Sequence, residues 1–74
     1  MEKETKITQK EMILWHFQNV GTLTRAEALS LYGIFELPAR IVELKKLGYH
    51  ITSENGMSEN RFGTVYFKIY KLEE

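Results

Sequence analysis

The side chains from which this 74-residue chain could assemble a nucleophile and its base are Ser30, Ser53 and Ser58, His16 and His50, and ten glutamates. No histidine is set by sequence to activate any of the serines. There is no aspartate and no cysteine, no glycine-rich phosphate loop, and no HExxH or similar ligand spacing. Glutamate pairs can be found, but among ten glutamates pairs arise by chance. His16 borders an apolar stripe and only His50 could join it, so it is expected to be a satisfied structural histidine rather than a metal ligand. The sequence therefore predicts no catalytic residues, no metal, no cofactor and no small-molecule substrate. The chain is expected not to be an enzyme.

The chemistry that remains is that of cations set close together. Arg40, Lys45 and Lys46 crowd one segment, and Arg61 and Lys68 lie further on. Such residues neutralise phosphates. The ten Lys and Arg are balanced by ten Glu, however, and the formal net charge is zero. No large uniform field draws in a polyanion, so any nucleic-acid contact must come from local placement of charge. A hydrophobic fraction of 43% with 12% aromatics is globular, and a chain this short makes one domain with a modest core. Its apolar runs are far too short for a spanning helix, and MEKETK lacks the apolar stretch of a signal peptide. The expected organisation is a flexible tail over residues 1–6 and a single domain over 7–72, in the cytoplasm and without membrane contact.

Three helices must position these residues. Thr8-Gln9-Lys10-Glu11 matches a capping box, with Ile7 and Met12 spaced as a hydrophobic staple, and predicts a helix to about Val20, stopped by Gly21. Ile13, Phe17 and Val20 form its inward stripe, and Trp15 points nearly opposite. An outward Trp is either covered by a terminal segment or part of an interface, where Trp is over-represented. Thr24-Arg25-Ala26-Glu27 is a second capping box, opening a helix whose inward face is Ala28, Tyr32 and either Leu29 or Leu31. Gly33 ends it, and Ile34 plugs the corner. Pro38 announces the third helix, with Leu37 as its cap. Leu37, Ile41, Leu44 and Leu47 are expected in the core, and Gly48 stops the helix. Ala39, Val42 and Lys46 then face outward beside Pro38 and Glu43, with Arg40 and Lys45 on the flanks.

After Gly48 the pattern alternates. Tyr49–Ser53 and Thr64–Tyr70 read as paired strands. The segment from Glu54 to Gly63 carries two breakers, Asn55-Gly56 and Phe62-Gly63, and is read as a long mobile tip. Val65, Phe67 and Ile69 are expected to face the helices, leaving Tyr66, Lys68 and Tyr70 half exposed, unless a bulge reverses the assignment. A short strand near Gly21 to Leu23 would complete the sheet, and Lys71–Glu74 is expected to be loose. The fold class is α+β: three helices followed by a two-stranded hairpin, the order of a winged helix-turn-helix.

The run LTRAEAL, YGI, LPARIVELKKLGYHI resembles the small helix-turn-helix domains encoded by bacteriophages and prophages. The matching residues are Leu23, Thr24, Glu27, Ala28, Gly33, Ile34, Leu37, Ala39, Arg40, Ile41, Leu44, Gly48, Tyr49 and Ile51, with Tyr70 and Leu72 at the close. The resemblance implies a DNA-binding protein of a bacterium or phage-infected cell, acting in transcription regulation or as an accessory factor in DNA transactions. The chain departs from the common spacing: with Gly33 at the usual turn position, Ala39 and Val42 would be buried and Leu37 and Ile41 displaced. A longer turn would remove the conflict.

Such a protein lays its second motif helix in the major groove. Pro38, Ala39 and Val42 would touch thymine methyls, Glu43 would accept from cytosine, and Lys45 and Lys46 would reach phosphates. Arg61 and Lys68 of the wing would contact the backbone or the adjacent minor groove. Arg40 is placed equally for a base contact or an ion pair with Glu43. Glu54 and Glu59 would repel phosphate. The alternative is a non-enzymatic winged helix that binds a host or phage protein through Trp15 or the apolar spot at Ala39 and Val42. The chain would meet DNA either as a monomer on one half-site or as a dimer, paired through the first helix or the terminal tails, on a palindrome.

Overall fold

The computed structural model describes residues 7–73; residues 1–6, expected as a flexible tail, and Glu74 lie outside the described residues. Thr8 and Thr24 set where the first two helices begin. Their hydroxyls accept from the amides of Glu11 (3.2 Å) and Glu27 (3.1 Å), and those glutamates accept in return from the threonine amides (2.9 and 3.0 Å). Both capping boxes therefore form, and helix α1 spans Gln9–Asn19 while α2 spans Arg25–Tyr32. Gly33 closes α2 at φ +71°, donating its amide to the Leu29 carbonyl at 2.9 Å. Glycine alone enters this left-handed region without a Cβ penalty.

Gly33, Ile34, Phe35 and Glu36 form the turn into α3, Leu37–Lys46. This turn is long enough to keep Leu37 and Ile41 inward and to leave Ala39 and Val42 in solvent. Leu37 is not the cap as expected: Glu36 occupies that position without a side-chain cap bond. Leu37 is instead the first helical residue and fully buried, and Pro38, which needs no amide partner there, follows it in the first turn.

The core is Ile13, Leu23, Ala28, Ile34, Leu37, Ile41, Leu44 and Ile51, with Met12, Phe17, Tyr32, Tyr70 and Leu72 among the side chains packed partly against it. Three expectations fail at its margin. Val20 is exposed, because it caps α1 at φ −118° and its side chain leaves the helical stripe. Leu29 and Leu31 are both exposed, since at 100° per residue each stands about 80° from the stripe of Ala28 and Tyr32. Leu47 is exposed for the same reason, having drifted nearly a right angle from Leu37, Ile41 and Leu44 by the end of α3.

Strand β1, Leu23–Thr24, pairs antiparallel with the far end of β3, Gly63–Leu72, and β3 pairs along its whole length with β2, Ile51–Asn60, giving the order β1-β3-β2. The expected long tip is thus replaced by a ladder running without a bulge from Ile51 opposite Leu72 to Asn60 opposite Gly63. The turn is Arg61-Phe62, and Asn55-Gly56 lies inside β2. A turn at Asn55-Gly56 would have paired two short polar segments and left the backbone of the Val65–Leu72 run without partners, which the continuous ladder avoids. Gly56 has a second use in the strand. A Cβ there would lie 2.6 Å from the Phe67 ring, so its absence lets that ring lie across the strand.

The face of β3 is also the reverse of the expected one. Tyr70 and Leu72 pack on the core, opposite buried Leu23 and Ile51, so Val65, Phe67 and Ile69 lie on the other side. The deciding residue is Leu72, one alternation beyond where the strand was expected to end. Beyond it the chain is held rather than loose, with Glu73 N donating to His50 O at 2.8 Å and Thr52 Oγ1 donating to the Glu73 carboxylate at 3.0 Å. A ten-residue strand extends about 30 Å, and the buried contacts of β2 and β3 lie at the Ile51 and Leu72 end. The outer hairpin therefore projects, giving a molecule of 50 × 31 × 21 Å.

Candidate nucleic-acid interface

Burial of Leu37, Ile41 and Leu44 fixes the rotation of α3, and with it what the helix shows to solvent. Pro38, Ala39, Val42, Lys45 and Lys46 are exposed. Lys45 and Lys46 occupy the last turn, where the helix dipole favours cations. Pro38 and Ala39 occupy the first turn and carry no charge that would oppose a base edge. Phe35, in the turn just ahead of α3, is exposed as well; the sequence reading passed over it, since a lone aromatic in a turn has no period to mark its direction.

Arg40 and Glu43 stand apart from this group. Glu43 reaches Arg40 Nη2 at 3.1 Å and Lys10 Nζ of α1 at 3.6 Å, so one carboxylate joins two cations and ties α3 to α1. Of the two roles open to Arg40, the ion pair is the one that forms in the free protein. Among the described residues its Nε is buried without a hydrogen-bond partner, which leaves the guanidinium turned inward at that atom.

The wing supplies the other expected cations. Arg61 is in the two-residue turn at the tip, its guanidinium carbon 5.8 Å from the centroid of the neighbouring Phe62 ring. Lys68 lies opposite Asn55, midway along the hairpin. Glu54 and Glu59 are on β2, opposite Ile69 and Thr64, so both acids sit below the tip rather than on it. The structure thus groups Pro38, Ala39, Val42, Lys45 and Lys46 on one helix and carries Arg61 and Lys68 on a separate projection. Sequence reasoning missed Phe62, which it took for half of a breaker. The signal was present in Asn60-Arg61-Phe62-Gly63, two turn formers bracketing a cation and an aromatic.

Trp15 is 55% exposed and lines an open apolar hollow of about 520 Å³ with Ile7, Glu11, Met12 and Tyr32. Residues 1–6, one of the two covers expected for it, are outside the described residues. Beneath lies His16, fully buried: its Nε2 donates to Thr22 O at 2.9 Å, and in the neutral ring Nδ1 accepts from the Tyr32 hydroxyl at 2.8 Å. Both ring nitrogens are spent on packing α1 against α2 and the start of β1, as expected of a structural histidine.

Comparison with known proteins places this geometry. A family model described as a winged helix-turn-helix domain matches residues 8–66, from the cap of α1 into β3. No curated protein and no solved structure matches the chain.

Proposed function

The chain belongs to the winged helix-turn-helix domain family, an architecture that supports DNA binding in general, and from that premise we propose that it binds double-stranded DNA with α3 in the major groove and the β2–β3 wing beside it. The observation that carries the reading is the rotation of α3, which turns Pro38, Ala39 and Val42 outward at its first turns and Lys45 and Lys46 at its end. In this reading the three apolar residues meet thymine methyls, the two lysines meet phosphates, and Arg61 and Lys68 hold the wing to the adjacent backbone or minor groove. Glu43 already holds Lys10 and Arg40, so a contact from Glu43 to cytosine or from Arg40 to a base is made in competition with these ion pairs. The resemblance to phage and prophage domains supports a role as a transcriptional regulator or an accessory factor in DNA transactions, in the cytoplasm of a bacterium or an infected cell.

Fluorescence anisotropy of a labelled mixed-sequence duplex, titrated at low and then moderate salt, tests the reading. With Lys45, Lys46, Arg61 and Lys68 on phosphates, log K falls against log salt with a slope of about −3 to −4. Absence of binding even at low salt would remove the DNA reading.

A second reading, an interface with a protein or another copy of the chain, is favoured by the hollow around Trp15. Pairing two copies there would present two α3 helices to a palindrome. Sedimentation equilibrium of the native chain and Trp15→Ala tests it: a dimer that Trp15→Ala dissociates supports self-pairing, and a monomer in both rules it out.

A further inference from the structure

Phe62 is 89% exposed, the highest value for a large apolar side chain among the described residues. A single exposed aromatic needs no explanation, but the setting of this one does. It stands at the end of a projecting ten-rung hairpin. The Asn60 side-chain oxygen accepts from the Phe62 amide at 2.7 Å, which fixes the two-residue turn, and the Arg61 guanidinium is kept beside the ring. Below the tip each face of the ribbon carries exposed apolar side chains among polar ones, Val65 and Phe67 on one side and Met57 and Tyr66 on the other.

We propose that the wing tip enters the minor groove of duplex DNA and that Phe62 wedges between adjacent base pairs, unstacking and kinking the duplex while Asn60 and Arg61 face the groove floor. The inference rests on the DNA-binding reading and deepens it, because an Arg61 contact to phosphate would require no deformation. Width decides the matter. The minor groove of B-DNA is about 6 Å wide, and two paired strands already stand about 5 Å apart before side chains are added, so the turn backbone fills the groove and leaves no room beside it for the Phe62 ring. The tip fits only if the groove opens. An apolar wedge between base steps is the means by which minor-groove proteins open it, and Arg and Asn are residue types that read its A·T pattern. Glu59 and Glu54 lie below the tip and limit entry to Asn60–Gly63. The step that yields is a pyrimidine–purine step such as TA, the easiest to unstack.

The test uses the whole chain and A·T-rich duplexes that carry 2-aminopurine at each TA step in turn, with a parallel set bearing donor and acceptor dyes at the two ends. Saturating protein is expected to raise 2-aminopurine fluorescence several-fold at one step and to shorten the end-to-end distance. Phe62→Ala, at a site too exposed to disturb folding, is expected to bind about tenfold more weakly and to lose both signals at saturation. Phe62→Leu, which keeps an apolar wedge, retains them. Native protein that binds without either signal, or Phe62→Ala that keeps both, overturns the wedge while the DNA reading stands. Native protein that does not bind overturns both, and leaves the apolar wing as a surface for a protein.

Discussion

Replacing His16 with alanine would remove the partner of the Thr22 carbonyl and of the Tyr32 hydroxyl, both in part-buried bonds, and open a cavity at the buried His16 position between α1 and α2. A loss of about 3 kcal/mol is expected in urea unfolding, whereas Tyr32→Phe, which removes one hydrogen bond and little volume, costs about 1 kcal/mol. Equal losses from the two would mean that the Thr22 bond contributes nothing. Glu43 calls for a different pair of measurements. Its two ion pairs are partly solvated, the side chains of Glu43 and Lys10 being 41% and 39% exposed, and pairs of that kind contribute about 0–1 kcal/mol. Glu43→Gln is therefore expected to leave unfolding nearly unchanged. If α3 faces DNA, the same change frees Arg40 and Lys10 and removes a negative charge, so duplex affinity rises. A fall in affinity would instead assign Glu43 a direct base contact. Both residues were singled out by the sequence, because histidine beside an apolar stripe and an Arg–Glu pair three apart each have few structural uses.

At the scale of elements, α2 is the one most dependent on its ends. It has eight residues, and a helix so short owes its existence to caps and packing rather than to propensity. Thr24→Ala, which removes the acceptor for the Glu27 amide, is expected to cost about 1 kcal/mol. Gly33→Ala, forced to φ +71°, is expected to cost about 1 kcal/mol or more, and the two should add in a denaturant series because they act at opposite ends. The helices were legible because capping boxes, the αL glycine and Pro38 are local chemistry, written within four or five residues. The wing was less so. Asn55-Gly56 has the local signature of a turn, yet it is overridden by pairing along the whole of Gly63–Leu72. Which side of β3 packs inward likewise turned on Leu72, whose partner Ile51 is remote in sequence.

For the molecule as a whole, zero net charge makes any DNA affinity a matter of a few placed cations, and salt is the lever that counts them. Lys46→Ala and Arg61→Ala are each expected to reduce the magnitude of the salt slope by about 1 if both residues meet phosphates. If the slope changes for Lys46 alone, the wing is free in the complex. The two cations sit on different elements, one packed into the core and one on a projection, so the pair of slopes reports whether helix and wing engage together.

The sequence by itself determined the order of elements, the two threonine caps and the rotation of α3, because each rests on residue chemistry or on periodicity within one element. Only the tertiary structure decided how far the hairpin runs, which face of β3 is inward, and that Phe62 stands at a tip. Each of these depends on which distant residue lies opposite. That choice is made by the summed burial and pairing of the whole sheet, so a local signal as strong as Asn55-Gly56 gives way to it.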